Sequence, residues 1–159
     1  MTTLLSSTLP TDGIRITTDA ATEPYWQAAK ARRLVAPRCT ACGAFRFPPG
    51  PFCPECRSQD VDWVNISAGT VFSFSIVRHL PGMKDLVLVP VVVEFPEAPG
   101  VHIVSNIIDI DPDDVHIGMI VEPDFVDIAD NWKLPVFRGP RAACDSTDQL
   151  PAVPEKEST

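Results

Sequence analysis

A mainly β chain, with an N-terminal helix and a zinc ribbon ahead of a five-stranded barrel of the OB type, is predicted by three features of the sequence. Two Cys-x-x-Cys pairs, Cys39-Thr40-Ala41-Cys42 and Cys53-Pro54-Glu55-Cys56, stand ten residues apart. From Gly69 onward the apolar residues change to period two. Five strand-like segments then follow, with a short acidic turn before the fourth.

Each cysteine pair can turn two thiolates inward at the tip of a tight loop. Two such loops facing each other make a tetrahedral cage of four sulfurs, the coordination of closed Zn²⁺ sites and also of iron. Gly43 follows the first pair, where the turn wants a residue free to take positive φ. Pro54 stiffens the second. Cys39, Cys42, Cys53 and Cys56 are therefore the expected metal ligands. A closed four-thiolate site leaves no open coordination position, so the expected zinc is structural. Two disulfides would need an oxidising compartment, and Met1 to Pro10 lacks the charged start and apolar run of a signal peptide. A redox site needs only one Cys-x-x-Cys, after a strand at a helix start. Cys144, the fifth cysteine, lies in a polar tail without a nearby histidine and is expected to be an ordinary free thiol.

In chain order, residues 1–20 are rich in Thr and Ser and predict a flexible arm or an extended strap. Residues 21–66 form the helix and ribbon. Thr22 can cap a helix over Ala21 to Arg33, with Pro24 in its first turn. Tyr25 and Trp26 are expected to pack beneath the metal module. Leu34 to Arg38, Ala44 to Pro48 and Val61 to Ile66 are the expected ribbon strands. Residues 67–141 form the barrel, with strands at Val71 to Val77, Leu86 to Phe95, His102 to Ile108, Gly118 to Val126 and Leu134 to Phe137. In the first of these, Phe72, Phe74 and Ile76 are expected to face the core, opposite Ser73 and Ser75. Pro90 suggests a bulge or an edge position. Asp109 to His116 predicts a turn or one short helical turn. Residues 142–159 are polar, charged and proline-containing, and predict disorder.

Charge divides the chain. The net charge is −8. Residues 30–57 carry +5 and residues 58–159 carry −11. The ribbon is thus a basic patch on an acidic protein. No apolar run is long enough to span a membrane. With no targeting segment and with reduced thiolates, the expected location is the cytoplasm.

The ordered pieces resemble a known family, the small proteins that pair a rubredoxin-like zinc ribbon with an acyl-CoA-associated OB-fold. The resemblance runs from about Tyr25 to Arg138. It is carried by Tyr25-Trp26, Arg38-Cys39-x-x-Cys42-Gly43, Pro48-Pro49, Cys53-Pro54-x-Cys56 and Trp63. Gly69-Thr70-Val71-Phe72-Ser73-Phe74, Pro90, Ile117-Gly118-Met119 and Pro135-Val136-Phe137-Arg138 complete it. The turn Glu94 to Gly100 is longer and richer in proline than is usual in the family. The resemblance implies a non-catalytic accessory subunit of an acyl-CoA-processing complex. Its partner would be a thiolase-like or lipid-transfer-protein-type enzyme, with a hot-dog-fold hydratase in some cases. The partner would hold the nucleophile and base, and the two chains would share the CoA thioester.

CoA carries a 3′-phosphate and a diphosphate. Arg32, Arg33, Arg38 and Arg46 supply the opposite charge, and a guanidinium grips phosphate in two places at once. An acidic rim on a partner would satisfy the same arginines. In the loop between the first two barrel strands, Arg78, His79 and Lys84 are further candidate CoA or partner contacts. His102 is expected to be a hydrogen-bonded structural histidine, and His116 to be exposed. Asp113-Asp114 has no evident apolar pocket around it, and a solvated turn is expected. No nucleophile–base pair stands out, so no catalytic residue is assigned. The main alternative is a nucleic-acid-binding module, since ribbons and OB-folds both occur there. The −11 of the barrel half opposes it, because such binding depends on Lys and Arg meeting phosphates.

Overall fold

A computed structural model of the chain describes residues 4–8, 10–83 and 85–139. It contains one α-helix, a two-stranded sheet and a five-stranded sheet among these residues. The expectations for Cys144 and for residues 142–159 lie outside them.

Helix α1 spans Glu23–Lys30, shorter than expected at both ends. Pro24 sits in its first turn. Thr22 makes no side-chain cap. Asp19 closes the entry instead, its Oδ1 accepting from the N–H groups of Ala21 (3.0 Å) and Thr22 (2.8 Å). The exit is a Schellman turn: Arg32 N–H donates to Ala29 O and Arg33 N–H to Ala28 O, with Arg32 at φ 56°. The helix buries Tyr25, Ala28 and Ala29. Tyr25 meets Trp26 (5.2 Å between ring centroids) and Phe47 (5.6 Å) edge-on, as the packing role anticipated.

Strand β1 (Leu34–Cys39) pairs antiparallel with β2 (Val61–Ile66), from Leu34↔Ile66 to Cys39↔Val61. The two knuckles lie between them in sequence. The expected strand at Ala44 to Pro48 is reduced to a single bridge, Arg38↔Phe45. Pro48 and Pro49 have no N–H to extend it.

The barrel comprises β3 (Gly69–Phe74), β4 (Pro90–Glu94), β5 (His102–Asn106), β6 (Ile120–Asp127) and β7 (Lys133–Arg138). Their order is β5-β4-β3-β6-β7, all neighbours antiparallel. The ends approach each other: Ile107 bridges Phe137, and Ser105 Oγ donates to Pro135 O at 2.6 Å. The result is a nearly closed five-stranded barrel. Val71, Val91, Val93, Val121, Val136 and Phe137 fill it, each no more than 1% exposed. Tyr25, Ala28 and Ala29 of the helix belong to the same core.

The bulge falls on β3, not at Pro90. Val71 faces Val93 and Ser73 faces Val92, so two steps on β3 match one on β4. Phe72 is the extra residue and points outward, 52% exposed. The expectation that Phe72 lies in the core is thus corrected: the bulge resets the alternation so that Val71 and Phe74 face inward. Gly69 is required where β3 begins, since a Cβ there would stand 2.4 Å from Val93 Cγ1 and 2.7 Å from Glu94 O.

Part of the N-terminal segment is a strap. Ser6 N–H donates to Ile110 O, and Ser7 N–H to Val87 O. Ser6 O and Oγ accept from the N–H groups of Asp109 and Ile110. Ser6 is buried, and the strap lies across the barrel between Val87 and Ile110. The expected short helical turn is present at Pro112–Asp114. No helix among the described residues is long and apolar enough to cross a membrane.

Candidate metal centre and the basic groove beside it

The two knuckles are built alike. In the first, Cys39 N–H donates to Ala44 O and Gly43 N–H to Cys39 O. In the second, Cys53 N–H donates to Ser58 O and Arg57 N–H to Cys53 O. Both turns close through a residue with positive φ, Gly43 at 80° and Arg57 at 63°. The sequence predicted the first of these. An arginine carries no such signal, so the second was missed.

The knuckles bring all four sulfurs within 4.8 Å of one another. Cys39 Sγ is 3.5 Å from Cys56 Sγ, and Cys42 Sγ is 3.6 Å from Cys53 Sγ. A disulfide needs about 2.05 Å. A tetrahedral ion with metal–sulfur bonds near 2.3 Å needs sulfurs roughly 3.8 Å apart, and the cluster fits that spacing. Cys39 and Cys53 are buried, while Cys42 and Cys56 stand at the surface. The Cys39 thiol is lowered to about 6, first by the Cys42 backbone N–H. Cys53 is lowered in the same way by the Cys56 N–H. At Cys42 the Ala44 N–H also lowers the value, but the neighbouring Cys56, Cys53 and Cys39 sulfurs outweigh it and push it up to about 12. Thiolates so close together repel, and a cation among them removes the conflict. The donor set and its geometry therefore suit a closed four-thiolate metal site.

Arg46 is the keystone of the second knuckle. It is buried, and its guanidinium donates to the carbonyls of Gln59 (3.0 Å), Ser58 (3.2 Å) and Pro51 (3.5 Å). Its place among the expected phosphate contacts is corrected accordingly, because its charge is held inside the ribbon.

The other candidate residues do not form one patch. Arg32 and Arg33 come together on a groove of about 520 Å³ between ribbon and barrel, with Leu34, Asn65, Ile66 and Phe125. Arg32 pairs with Asp124 at 2.7 Å, and Arg33 donates to Asn65 Oδ1 at 3.2 Å. Arg38 lines a separate groove beside the first knuckle and pairs with Asp62 at 3.3 Å. Arg78 pairs with Asp113, and His79 is exposed. Lys84 lies outside the described residues. His102, in β5, is exposed and meets the Phe72 ring edge-on at 4.8 Å, so an aromatic contact stands where a hydrogen-bonded structural histidine was expected. His116 is exposed, as anticipated, with Nδ1 3.0 Å from Asp114 O.

Two family models divide this architecture. The ChsH2 rubredoxin-like zinc ribbon domain matches residues 26–62, and the ChsH2 C-terminal OB-fold domain matches residues 63–126. A DUF35 domain-containing scaffold protein of Methanocaldococcus jannaschii is 35% identical over 105 residues, 63% of this chain and 73% of that protein. The chain belongs to this DUF35/ChsH2 family of zinc ribbon–OB-fold proteins. A probable enoyl-CoA hydratase alpha subunit of Thermomonospora curvata is 40% identical over 136 residues. That match takes in 84% of this chain but only 38% of the relative's length. Among solved structures, a chain of the Ltp2-ChsH2(DUF35) aldolase superimposes with a TM-score of 0.70 at 38% identity. The superposition covers 79% of this chain and 98% of that one.

Within this DUF35/ChsH2 chain, one connection between the helix–ribbon part and the barrel, and one at the start of the barrel, escaped the sequence. Asp124 accepts from Arg32 and from Arg138, which also pairs with Asp109. Glu97, in the long proline-rich turn, accepts from Ser67 N–H (3.0 Å) and Ser67 Oγ (2.9 Å). Each holds a residue that lines the groove, Arg32 in the first case and Ser67 in the second, and neither has a local sequence signature.

Proposed function

We propose that this chain is a non-catalytic accessory subunit of an acyl-CoA-processing enzyme complex, with a structural Zn²⁺ held by Cys39, Cys42, Cys53 and Cys56. The observation that carries the proposal is the likeness to one chain of an aldolase complex, nearly all of which this chain covers. The likeness to part of a hydratase alpha subunit points the same way. The partner, a thiolase-like, lipid-transfer-protein-type or hydratase enzyme, supplies the nucleophile and the base. Among the described residues the clustered thiols are placed so that they could hold a metal ion, and each histidine is exposed without a carboxylate partner. Zinc joins the two knuckles and so fixes the ribbon as a lobe beside the barrel. It supplies folding energy and no reaction chemistry.

The groove at Arg32 and Arg33 is the part of the basic patch best placed to meet the phosphates of the CoA arm. It combines two guanidinium groups with an apolar floor of Leu34, Ile66 and Phe125, which suits a ligand anionic at one end and apolar along its length. Reduced thiolates of this kind favour a cytoplasmic setting. The test is co-expression with a thiolase-like or aldolase-like enzyme encoded in the same gene neighbourhood, if that neighbourhood holds one, and otherwise with the Ltp2-type enzyme of the same genome, followed by size-exclusion chromatography and metal analysis. A co-eluting complex with one zinc per copy of this chain is expected. Separate elution at micromolar concentration would count against a stable subunit.

A further inference from the structure

The outer face of the barrel carries an apolar stripe that the core does not explain. Three strands, β6, β3 and β5, contribute exposed apolar residues to it, with the half-buried Val92 of β4 between β3 and β5. Ile120 is 59% exposed, Phe72 52% and Val104 74%. The register makes them neighbours: Ile120 lies opposite Thr70, two residues from Phe72, and Val104 lies opposite Val92, which faces Ser73. The His102 ring fills the space beside Phe72. Single exposed apolar residues are ordinary, but a row of three on one face of the sheet marks an interaction surface. Phe72 joins the row only because of the β3 bulge. A bulge that turns a phenylalanine out to water costs stability unless something covers it.

The charged side chains on the stripe's own strands have one sign, and the nearest cations, Arg138 opposite Glu122 and the Arg32 and Arg33 of the groove, stand at its β6 border. Strands β3, β4, β5 and β6 contain no lysine or arginine. Glu94 and Glu122 stand exposed on the same face, Glu122 two residues from Ile120. Neither belongs to an ion pair among the described residues. Two copies of this face set together would bring like charges into contact, which disfavours self-association. A different protein, with an apolar patch flanked by Lys and Arg, is complementary. Glu122 also lines the groove of Arg32 and Arg33. A protein seated on the stripe would therefore border that groove.

We propose that the outward face of β6-β3-β4-β5, centred on Phe72 and Val104, is the docking surface for the partner enzyme, met by an apolar patch with a basic rim. This rests on the accessory-subunit reading above. The experiment is isothermal titration of the full zinc-loaded chain into that partner enzyme. Wild type is compared with Phe72→Lys/Val104→Lys, with Val104→Ser alone and with Glu94→Gln/Glu122→Gln. The double lysine variant is expected to raise Kd at least ~30-fold, as loss of a central anchor does. Val104→Ser, at the most exposed position and least able to disturb the fold, is expected to weaken binding several-fold. The glutamine pair should raise Kd at low salt and flatten the dependence of Kd on salt when the titration is repeated at higher ionic strength. Unchanged zinc content and melting temperature certify each variant. If wild type and every variant bind equally, the face assignment fails and the accessory reading stands. If wild type does not bind, both fail. If wild type dimerises by itself and the lysine variant is monomeric, the occupant is a second copy and the proposal is overturned.

Discussion

Gly43 and Arg57 occupy the same position in two copies of one turn. Each follows the second cysteine of its pair, each has positive φ (80° and 63°), and each donates its N–H to the first cysteine's carbonyl at 2.9 Å. Only glycine takes that conformation without strain from Cβ. Arg57→Gly is therefore expected to leave the metal site intact and to change stability by less than about 1 kcal/mol, in the stabilising direction. Gly43→Val should cost about 1–2 kcal/mol, since a β-branched residue is poorly tolerated there. Thermal unfolding of the metal-loaded proteins measures both. A destabilised Arg57→Gly would mean that the arginine side chain matters more than its backbone.

Arg46 spans three carbonyls of the second knuckle from inside the ribbon. Arg46→Lys keeps the charge but loses the planar fork, and one ammonium cannot reach all three acceptors. A loss of about 2 kcal/mol is expected, with faster zinc release to a chelator. Retention of wild-type release kinetics would remove Arg46 from the support of the cage.

Gly69 admits no side chain. A methyl there would meet Val93 Cγ1 at 2.4 Å, Glu94 O at 2.7 Å and Phe95 Cε1 at 2.9 Å. Gly69→Ala should cost about 1–3 kcal/mol by overpacking, read as a lower urea midpoint with unchanged zinc content. An unaltered midpoint would show that β3 and β4 separate easily.

The Asp124 carboxyl lies below its ordinary value of 3.8. Burial pushes it up, but the Arg138 guanidinium, the Phe125 N–H and the charge of Arg32 outweigh that. A depressed value in the folded state means stabilisation that is complete above the unfolded value, near ~4, and lost as pH falls through the folded one. Asp124→Asn should lower stability at pH 7 by about 1–2 kcal/mol. It should also flatten the fall in stability below pH 4. Urea unfolding at pH 7 and pH 3 measures this, and equal differences at both values would contradict it.

The ribbon and barrel were legible because their signals are local. Cysteine spacing, Gly43 and alternating valines each report on one turn or strand. Phe72 misled because alternation cannot reveal a bulge, which depends on how β3 meets β4. Arg46 misled because sequence shows an arginine's charge but not the carbonyls that surround it. Thr22 was passed over for Asp19, three residues earlier, whose carboxylate reaches two N–H groups at the helix entry. The Arg32–Asp124 pair joins residues 92 apart. No local pattern encodes it, so the groove that it borders became visible only in the fold.

In the proposed role, the zinc-held lobe lends structure to another protein's chemistry. Acyl-CoA turnover, measured as this zinc-loaded chain is titrated into the partner enzyme, tests that most directly. No turnover by the chain alone is predicted, with a rise in the enzyme's rate that saturates at a fixed stoichiometry. Thioester turnover by the purified chain by itself, or an enzyme indifferent to its addition, would contradict the account.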